Sequence, residues 1–406
     1  MSRQTLVELT RRTLQHARAG TVPLAGDIGR VPAANYYDPD RWQLEMARVF
    51  KRTPLALGFT CELPEPRSYK ALEVAGVPVL LSRGADGRMR SFVNMCSHRG
   101  SIVVQEGTGT TRRFTCPYHA WSYDNEGRLV GILDREEFGD LDPDCHGLAP
   151  LPVAERAGII FGALTPGAPF DIDAYLCGYG EMLAHHEFAN CAYVGSQSVD
   201  GPNWKVAYDG YLDFYHLPIL HRESFGPGYS NKAIYDAWGP HQRVTSPDRR
   251  FLALDNLPED DWPADLLTDG VWTIFPHTSV AGFQVSADGV PGGGRMYMIS
   301  TLFPGDTPDT SRTVQHFLAT FELSEQLDGL IEAQKAFLLH VVRDEDYYNG
   351  NRIQRAVKTG AKTEFFFGRN EAGGQRFHGW VDRLVAAETD DDFANLFAAA
   401  EISFQR

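Results

Sequence analysis

The chain has 406 residues and a formal net charge of −15, long enough for two or three domains with a sizeable core. The acidic balance argues against nucleic acid as a partner, and 43% apolar content with dispersed charge argues against disorder. Six cysteines in so long a chain do not make a secreted disulfide framework. No run of about 18 apolar residues marks a membrane span, so a reducing cytoplasm is the expected location.

Residues 1–45 read as helical, with a Gly/Pro-rich connector from Gly20 to Asn35. Leu6, Leu9 and Leu14 make one side of an opening helix. Thr10-Arg11-Arg12-Thr13-Leu14 faintly suggests a twin-arginine export signal, but the following stretch is not apolar, and the segment reads as a packing element. A second helix is expected over 38–52, with Pro39 in its first turn. From about 54 to 165 the texture changes to short strands at 71–74, 77–82, 89–94, 113–115, 129–132 and 158–164. Turns such as Gly84-Ala85-Asp86-Gly87 separate them, as expected of a small all-β domain. Beyond 166, strand-like runs at 196–206, 271–275, 278–286, 294–303 and 312–322 precede a periodic helix over 326–342. A last helical stretch begins near 377–385. No G-x-G-x-x-G follows a strand, and Gly107-Thr108-Gly109 reads as a hairpin turn. Reducing equivalents must therefore come from another protein.

Two boxes carry the strongest chemistry, Cys96-Ser97-His98 and Cys116-Pro117-Tyr118-His119, with 17 residues between them. Two thiolates and two imidazoles can hold structural zinc, but C-x-H followed by C-x2-H is not zinc-finger spacing. It suits a 2Fe–2S centre with two Cys on one iron and two His on the other. The remaining Cys61, Cys145, Cys177 and Cys191 lack metal-like spacing and read as small core residues.

A second constellation is Asp213-Phe214-Tyr215-His216-Leu217-Pro218-Ile219-Leu220-His221. His at i and i+5 of an ideal α-helix point about 140° apart. They converge only if the helix is bulged or broken, and Pro218 between them makes a break credible. A carboxylate would complete a facial triad with open positions. The candidates lie in Arg343-Asp344-Glu345-Asp346. Leu338, Val342 and Asp346 share one helical face, whereas Glu345 stacks over Val341 and Phe337, so spacing leaves both acids open. The alternative is a solvated helix end.

Asn94-Met95-Cys96-Ser97-His98-Arg99-Gly100, Cys116-Pro117-Tyr118-His119-Ala120-Trp121, Asn203-Trp204-Lys205, the D-x2-H-x4-H segment and the late Glu345-Asp346 pair occur in order over nearly the whole chain. In this they resemble the α subunit of Rieske non-haem iron aromatic-ring-hydroxylating oxygenases. Ser101 and Tyr118 lack the extra disulfide of the respiratory branch. The resemblance implies an α+β fold, with a small all-β Rieske domain set before or within a larger helix-grip-like catalytic domain built on an antiparallel sheet. The implied divisions are 1–53, an N-terminal helical segment on the catalytic domain; 54–165, the Rieske domain; and 166–406, the catalytic domain. It implies Cys96, His98, Cys116 and His119 as cluster ligands, and His216, His221 and Asp346 as ligands of a mononuclear iron. Asp213 is implied as the acid bridging the two centres, and Gln354 matches the Gln eight residues after the ligand Asp. It also implies electrons from NAD(P)H through a separate reductase, with or without a ferredoxin, and an α3 ring in which Asp213 and His216 face His119 of a neighbouring subunit.

Three positions depart from the family pattern: Gly210 after Asp209, Ala356 after Gln354, and His277 in the Asn position of Phe275-Pro276-His277. His277 either touches substrate or is a solvated or hydrogen-bonded strand-end residue. Leu217, Leu220, Phe225, Phe275 and Phe283 could line an apolar pocket or belong to the core. The expected activity is hydroxylation of a hydrophobic, aromatic small molecule. The alternative is a monooxygenase that demethylates or hydroxylates an amine, methoxy or alicyclic substrate. A third reading is an electron carrier with an inert second domain.

Overall fold

The computed structural model describes residues 2–226 and 230–405. Its first helix, Ser2–Ala19, buries Leu6, Leu9 and Leu14, the side that the leucine spacing predicts. The opposite side is tied to the later part of the chain. Arg12 pairs with Asp236, and Arg11 reaches Glu259 at 2.6 Å. The connector is not wholly irregular, since Gly29–Pro32 forms a strand antiparallel to Glu364–Phe367. The second helix starts at Pro39 under an Asp38 cap and closes in a π-turn, Met46–Phe50.

A β-rich unit follows. Five strands lie in the order Pro150–Leu151, Met89–Val93, Val77–Arg83, Ser68–Val74 and Gly107–Thr110. Gly107-Thr108-Gly109 is thus part of an edge strand, not a hairpin turn: its backbone pairs with Ser68–Val74. A three-stranded sheet joins Val153–Arg156, Ile159–Gly162 and Leu55–Phe59, and another joins Phe114–Thr115, Ser122–Tyr123 and Leu129–Gly131. Cys96, Cys116, Trp121, Tyr123, Phe92 and Leu80 share one small core, so both thiols sit inside the unit that presents the loops.

The second half is built on an eight-stranded antiparallel sheet. Its order is Ala192–Gly201, Ser311–Ala319, Gly294–Pro304, Thr278–Val285, Val271–Ile274, His241–Thr245, Ile234–Trp238 and Ile402–Phe404. The strand expected over 196–206 stops at Gly201. Asn203 then accepts the Lys205 N–H at 2.9 Å and caps a helix, Trp204–Leu212, as Asn does where helix donors lack partners. The main core contains Trp204, Tyr208, Trp272, Phe377 and Trp380, and continues into Leu55, Phe59, Val79 and Leu81 of the β-rich unit. The cysteines outside the boxes are less uniform than the core reading predicts. Cys191 is buried, Cys61 and Cys177 are half-buried, and Cys145 is exposed, its thiol turned to Asp142 in a short surface turn.

Candidate metal centres

The two Cys-His loops repeat one backbone design. The Cys96 N–H donates to Ser101 O and the Gly100 N–H to Cys96 O. The Cys116 N–H donates to Trp121 O and the Ala120 N–H to Cys116 O. Closing each turn requires positive φ at the fifth residue, +74° at Gly100 and +56° at Ala120, a conformation glycine adopts without a Cβ clash. Asn94 braces the first loop by accepting the Val103 and Val104 N–H groups.

Both thiols are buried and both imidazoles are half-exposed. The His98 and His119 rings lie 4.6 Å apart, and His98 stacks on Trp121 at 4.9 Å. His98 Nδ1 is buried without a hydrogen-bond partner, an atom suited to a metal. Burial, His119 and Arg99 lower the His98 pKa, which keeps the ring neutral for ligation. Burial raises the Cys116 pKa, but the N–H groups of Tyr118 and His119 and the Cys96 thiol outweigh it, and the net shift is downward. That favours thiolate, the ligating form. Tyr123, which sequence alone does not single out, lies 3.2 Å from Cys96 Sγ through its hydroxyl and accepts the Ser97 N–H at 2.9 Å. Its only signal is its place seven residues after Cys116.

His216 and His221 converge, but Pro218 does not break the helix between them. It occupies the first turn of a short helix, Leu217–Leu220, where proline is tolerated. The breaks lie on either side: Asp213 is extended, and His221 leaves helical dihedrals before Arg222–Phe225. Asp213 accepts the Tyr215 N–H through one oxygen and meets His216 Nδ1 at 3.0 Å through the other. Glu345 Oε2 meets His221 Nδ1 at 2.7 Å.

With each Nδ1 turned to a carboxylate, the two Nε2 atoms face each other at 3.1 Å. Asp346 Oδ1 stands 3.1 Å from His221 Nε2 and 3.6 Å from His216 Nε2. When both Nδ1 atoms carry the hydrogen, two nitrogen lone pairs and a carboxylate converge on one point. That arrangement fits a divalent cation, and the three residues form a compact metal-type group among the described residues. Burial lowers the pKa of His221, but Asp346 and Glu345 outweigh it and the net shift is upward. Asp346 lies in a π-helical segment, Val341–Tyr347, within a continuous helix from Asp328 to Val357. Leu338 and Val342 are buried, as their shared face predicts.

The other motif residues do scaffold work. Asn203 also donates to Pro308 O at 2.6 Å, and Trp204 Nε1 donates to Glu45 at 2.9 Å. Lys205 pairs with Glu45, and neither side chain reaches solvent. Gln354 donates to Tyr36 O and to Asp309 at 3.0 and 2.9 Å. Asp209 joins Tyr36 and His378 in a part-buried cluster with contacts of 3.0 Å. His277 is buried, not solvated. Its Nε2 accepts the Ala56 N–H at 3.1 Å, so it ties the sheet to the β-rich unit. Among the apolar candidates, Phe225 lies 5.1 Å from His221 and 5.8 Å from Phe337. Phe275 packs on Phe377, and Phe283 belongs to the core under the helix Asp328–His340.

Comparison with known proteins agrees with this architecture. The family described as the Rieske [2Fe-2S] domain matches residues 53–140. The family described as the ring hydroxylating alpha subunit (catalytic domain) matches residues 188–387. The glycine betaine monooxygenase oxygenase subunit of Chromohalobacter salexigens is 33% identical over 194 residues, covering 48% of this chain and 43% of that relative. The chain thus spans less than half of that relative's length. The carnitine monooxygenase oxygenase subunit of Escherichia coli K12 is 26% identical over 343 residues, covering 81% and 84%. The apo structure of the quaternary ammonium Rieske monooxygenase CntA superposes with a TM-score of 0.70 at 22% identity, over 88% of this chain and 96% of that one. The chain belongs to the Rieske non-haem iron oxygenases, as an α-type oxygenase subunit.

Proposed function

We propose that the chain is the terminal oxygenase of a multicomponent system, taking electrons from a separate reductase or ferredoxin and inserting oxygen into a small organic molecule. The observation that carries this reading is the convergence of His216 Nε2, His221 Nε2 and Asp346 Oδ1, with both Nδ1 atoms committed to carboxylates. In the proposed division, residues 1–53 pack on the catalytic domain, 54–165 hold the cluster and 166–406 hold the iron, in a cytoplasmic α3 assembly. Cys96, Cys116, His98 and His119 hold the cluster; His216, His221 and Asp346 hold the iron. Bound there, the two groups supply single electrons and oxygen reduction. The chain's own part is positioning. The buried thiols of Cys96 and Cys116 and the half-exposed imidazoles of His98 and His119 would hold the cluster, and Phe225 contributes apolar shielding beside His221. Asp213 holds the Nδ1 proton of His216 and so keeps its Nε2 available.

For the substrate we place a quaternary ammonium compound ahead of an aromatic hydrocarbon. The likeness that runs along most of both chains is to a carnitine monooxygenase subunit, and a glycine betaine monooxygenase subunit matches about half of this chain. The test is oxygen uptake with a matched reductase, against trimethylammonium acids and aromatic hydrocarbons, with product mass spectrometry. Coupled turnover of the ammonium compounds is expected; coupled turnover of aromatics alone would reverse the order. Absence of mononuclear iron and of oxygen uptake would leave only an electron carrier. Cys96→Ser is expected to abolish the brown cluster absorption, and a colourless anaerobic protein with stoichiometric zinc would overturn the Rieske assignment.

A further inference from the structure

The two acids of the Glu345-Asp346 pair approach the same imidazole from opposite edges. Asp346 Oδ1 faces Nε2 of His221 at 3.1 Å, and Glu345 Oε2 faces Nδ1 at 2.7 Å. Consecutive residues of a regular helix point about 100° apart, so two neighbours rarely address one ring. Here the backbone is π-helical from Val341 to Tyr347, and the widened turn lets both side chains reach His221. Both Glu345 oxygens are occupied: Oε1 accepts the Ser224 hydroxyl at 2.7 Å. Ser224 lies three residues after His221, in the short helix Arg222–Phe225. His221 is almost wholly buried, and the Glu345 side chain is 15% exposed, so water competes weakly for this hydrogen bond.

We infer that Glu345 is a positioning residue for the metal centre: it holds the hydrogen of His221 on Nδ1, while Ser224 holds Glu345. This rests on the assignment of His216, His221 and Asp346 as the metal ligands. Glu345 itself is not a ligand, because its two oxygens face Nδ1 and Ser224 and not the point where the three ligand atoms meet. The site then has a matched pair of outer carboxylates. Asp213 serves His216 from within the same loop, and Glu345 serves His221 from the facing helix. Removing an outer partner of a ligating His commonly loosens the metal about 10–100-fold.

The test is cobalt(II) titration of the Rieske-loaded protein stripped of mononuclear iron, following the d–d absorption, alongside cluster absorption and thermal unfolding without added metal. Glu345→Ala is expected to weaken cobalt binding about 10–100-fold and alter the d–d bands, with the cluster spectrum retained. Glu345→Gln keeps an acceptor oxygen and is expected to recover part of the loss, which a purely structural role would not produce. Should Glu345→Ala fail to fold, Ser224→Ala decides. It leaves the carboxylate in place but untethered, and a smaller, measurable weakening is expected. Wild-type affinity and bands in Glu345→Ala, or in Ser224→Ala in that event, would overturn the inference. If Asp346→Ala abolishes cobalt binding while Glu345→Ala does not change it, only the role of Glu345 falls. If Asp346→Ala binds normally and Glu345→Ala does not bind, the ligand assignment falls with it.

Discussion

His216 and His221 each have one nitrogen engaged by a carboxylate, which leaves one apiece for the metal we propose there. Asp346→Ala removes the third donor of the set. It is expected to lose mononuclear iron and substrate oxidation while keeping the Rieske spectrum, as metal analysis and visible absorption will show. Glu345→Ala is expected to be milder. Asp213→Asn keeps the volume but not the charge. It is expected to retain both metals and slow transfer between the centres about 10–100-fold, read as product yield in a single turnover of pre-reduced protein. Normal yield would refute that role. At this scale the proposed Cys and His donors stand out in the sequence by their spacing, whereas spacing leaves Glu345 and Asp346 both open and only the family resemblance favours Asp346. The outer position proposed for Glu345 was not legible: in sequence it competes with Asp346 for the donor role, and only the π-turn turns both acids to one ring. Tyr123 was hidden for a similar reason, since its contact with Cys96 joins a strand to a loop 27 residues earlier in the chain.

At the scale of elements, the Asn-Trp-Lys entry shows how the helix Trp204–Leu212 is anchored. Glu45 and Lys205 are both fully buried, and Glu45 also takes Trp204 Nε1 and Arg41 at 2.9 Å each. Burial is the largest influence on Lys205 and lowers its pKa, against the opposing pull of Glu45. Lys205→Met leaves Glu45 short of a partner and is expected to destabilise the protein by about 3–5 kcal/mol. Combining it with Glu45→Gln is expected to restore part of that, measured by denaturant unfolding. A cost within 0.5 kcal/mol of zero, the usual range for an uninvolved position (about ±0.5), would show that the pair is not an anchor. Ser68–Val74, Val77–Arg83 and Met89–Val93 of the β-rich unit and the strands between Val271 and Ala319 of the large sheet were readable because they alternate or form apolar runs, whereas Leu55–Phe59, Gly107–Thr110 and Ile402–Phe404 were missed. Ile234–Trp238 and His241–Thr245 were missed too. Both are buried throughout yet contain Asp236, His241, Gln242 and Arg243, polar residues whose partners lie far away in the chain: Arg12 for Asp236, Tyr175 O for His241, Gly373 O for Gln242 Nε2 and Asp269 O for Arg243 Nε. The strand expected over 196–206 overran the start of the helix Trp204–Leu212 because Val206 suits a sheet; the Asn203 cap, not the composition, decided it.

For the whole molecule, four buried histidines set the response to acid. Burial pushes His241 down to about 4 and His277 down to about 3, and holds His186 and His316 well below the usual range. In the unfolded chain each titrates near 6.5, so below that pH the unfolded state binds protons that the folded state refuses. Stability is therefore expected to fall as pH drops from about 6.5 towards 4, by roughly 3 kcal/mol from His241 alone. Melting temperatures across this range, compared with His277→Asn, will show whether the slope flattens when one such group is removed. A flat profile would contradict the burial of these rings. Exposed Tyr118 and Phe138, at 60% and 43%, lie against the His119 and His98 rings. Such a patch beside half-exposed rings is what a neighbouring subunit would cover. A trimer is expected in native mass measurements, and an active monomer would refute the intersubunit arrangement.

In genetic terms, the π-helical turn at Val341–Tyr347 amounts to one surplus codon. Losing any single codon just upstream of Glu345 would let the helix run on as ordinary α and swing both acids by about 100°. The frame, the fold and the cluster-bearing half would survive, while His221 would lose Glu345 and Asp346 together and His216 would keep only Asp213. A three-nucleotide deletion is thus the shortest expected path from this enzyme to an oxygen-inert descendant, and a one-codon duplication is the corresponding path back.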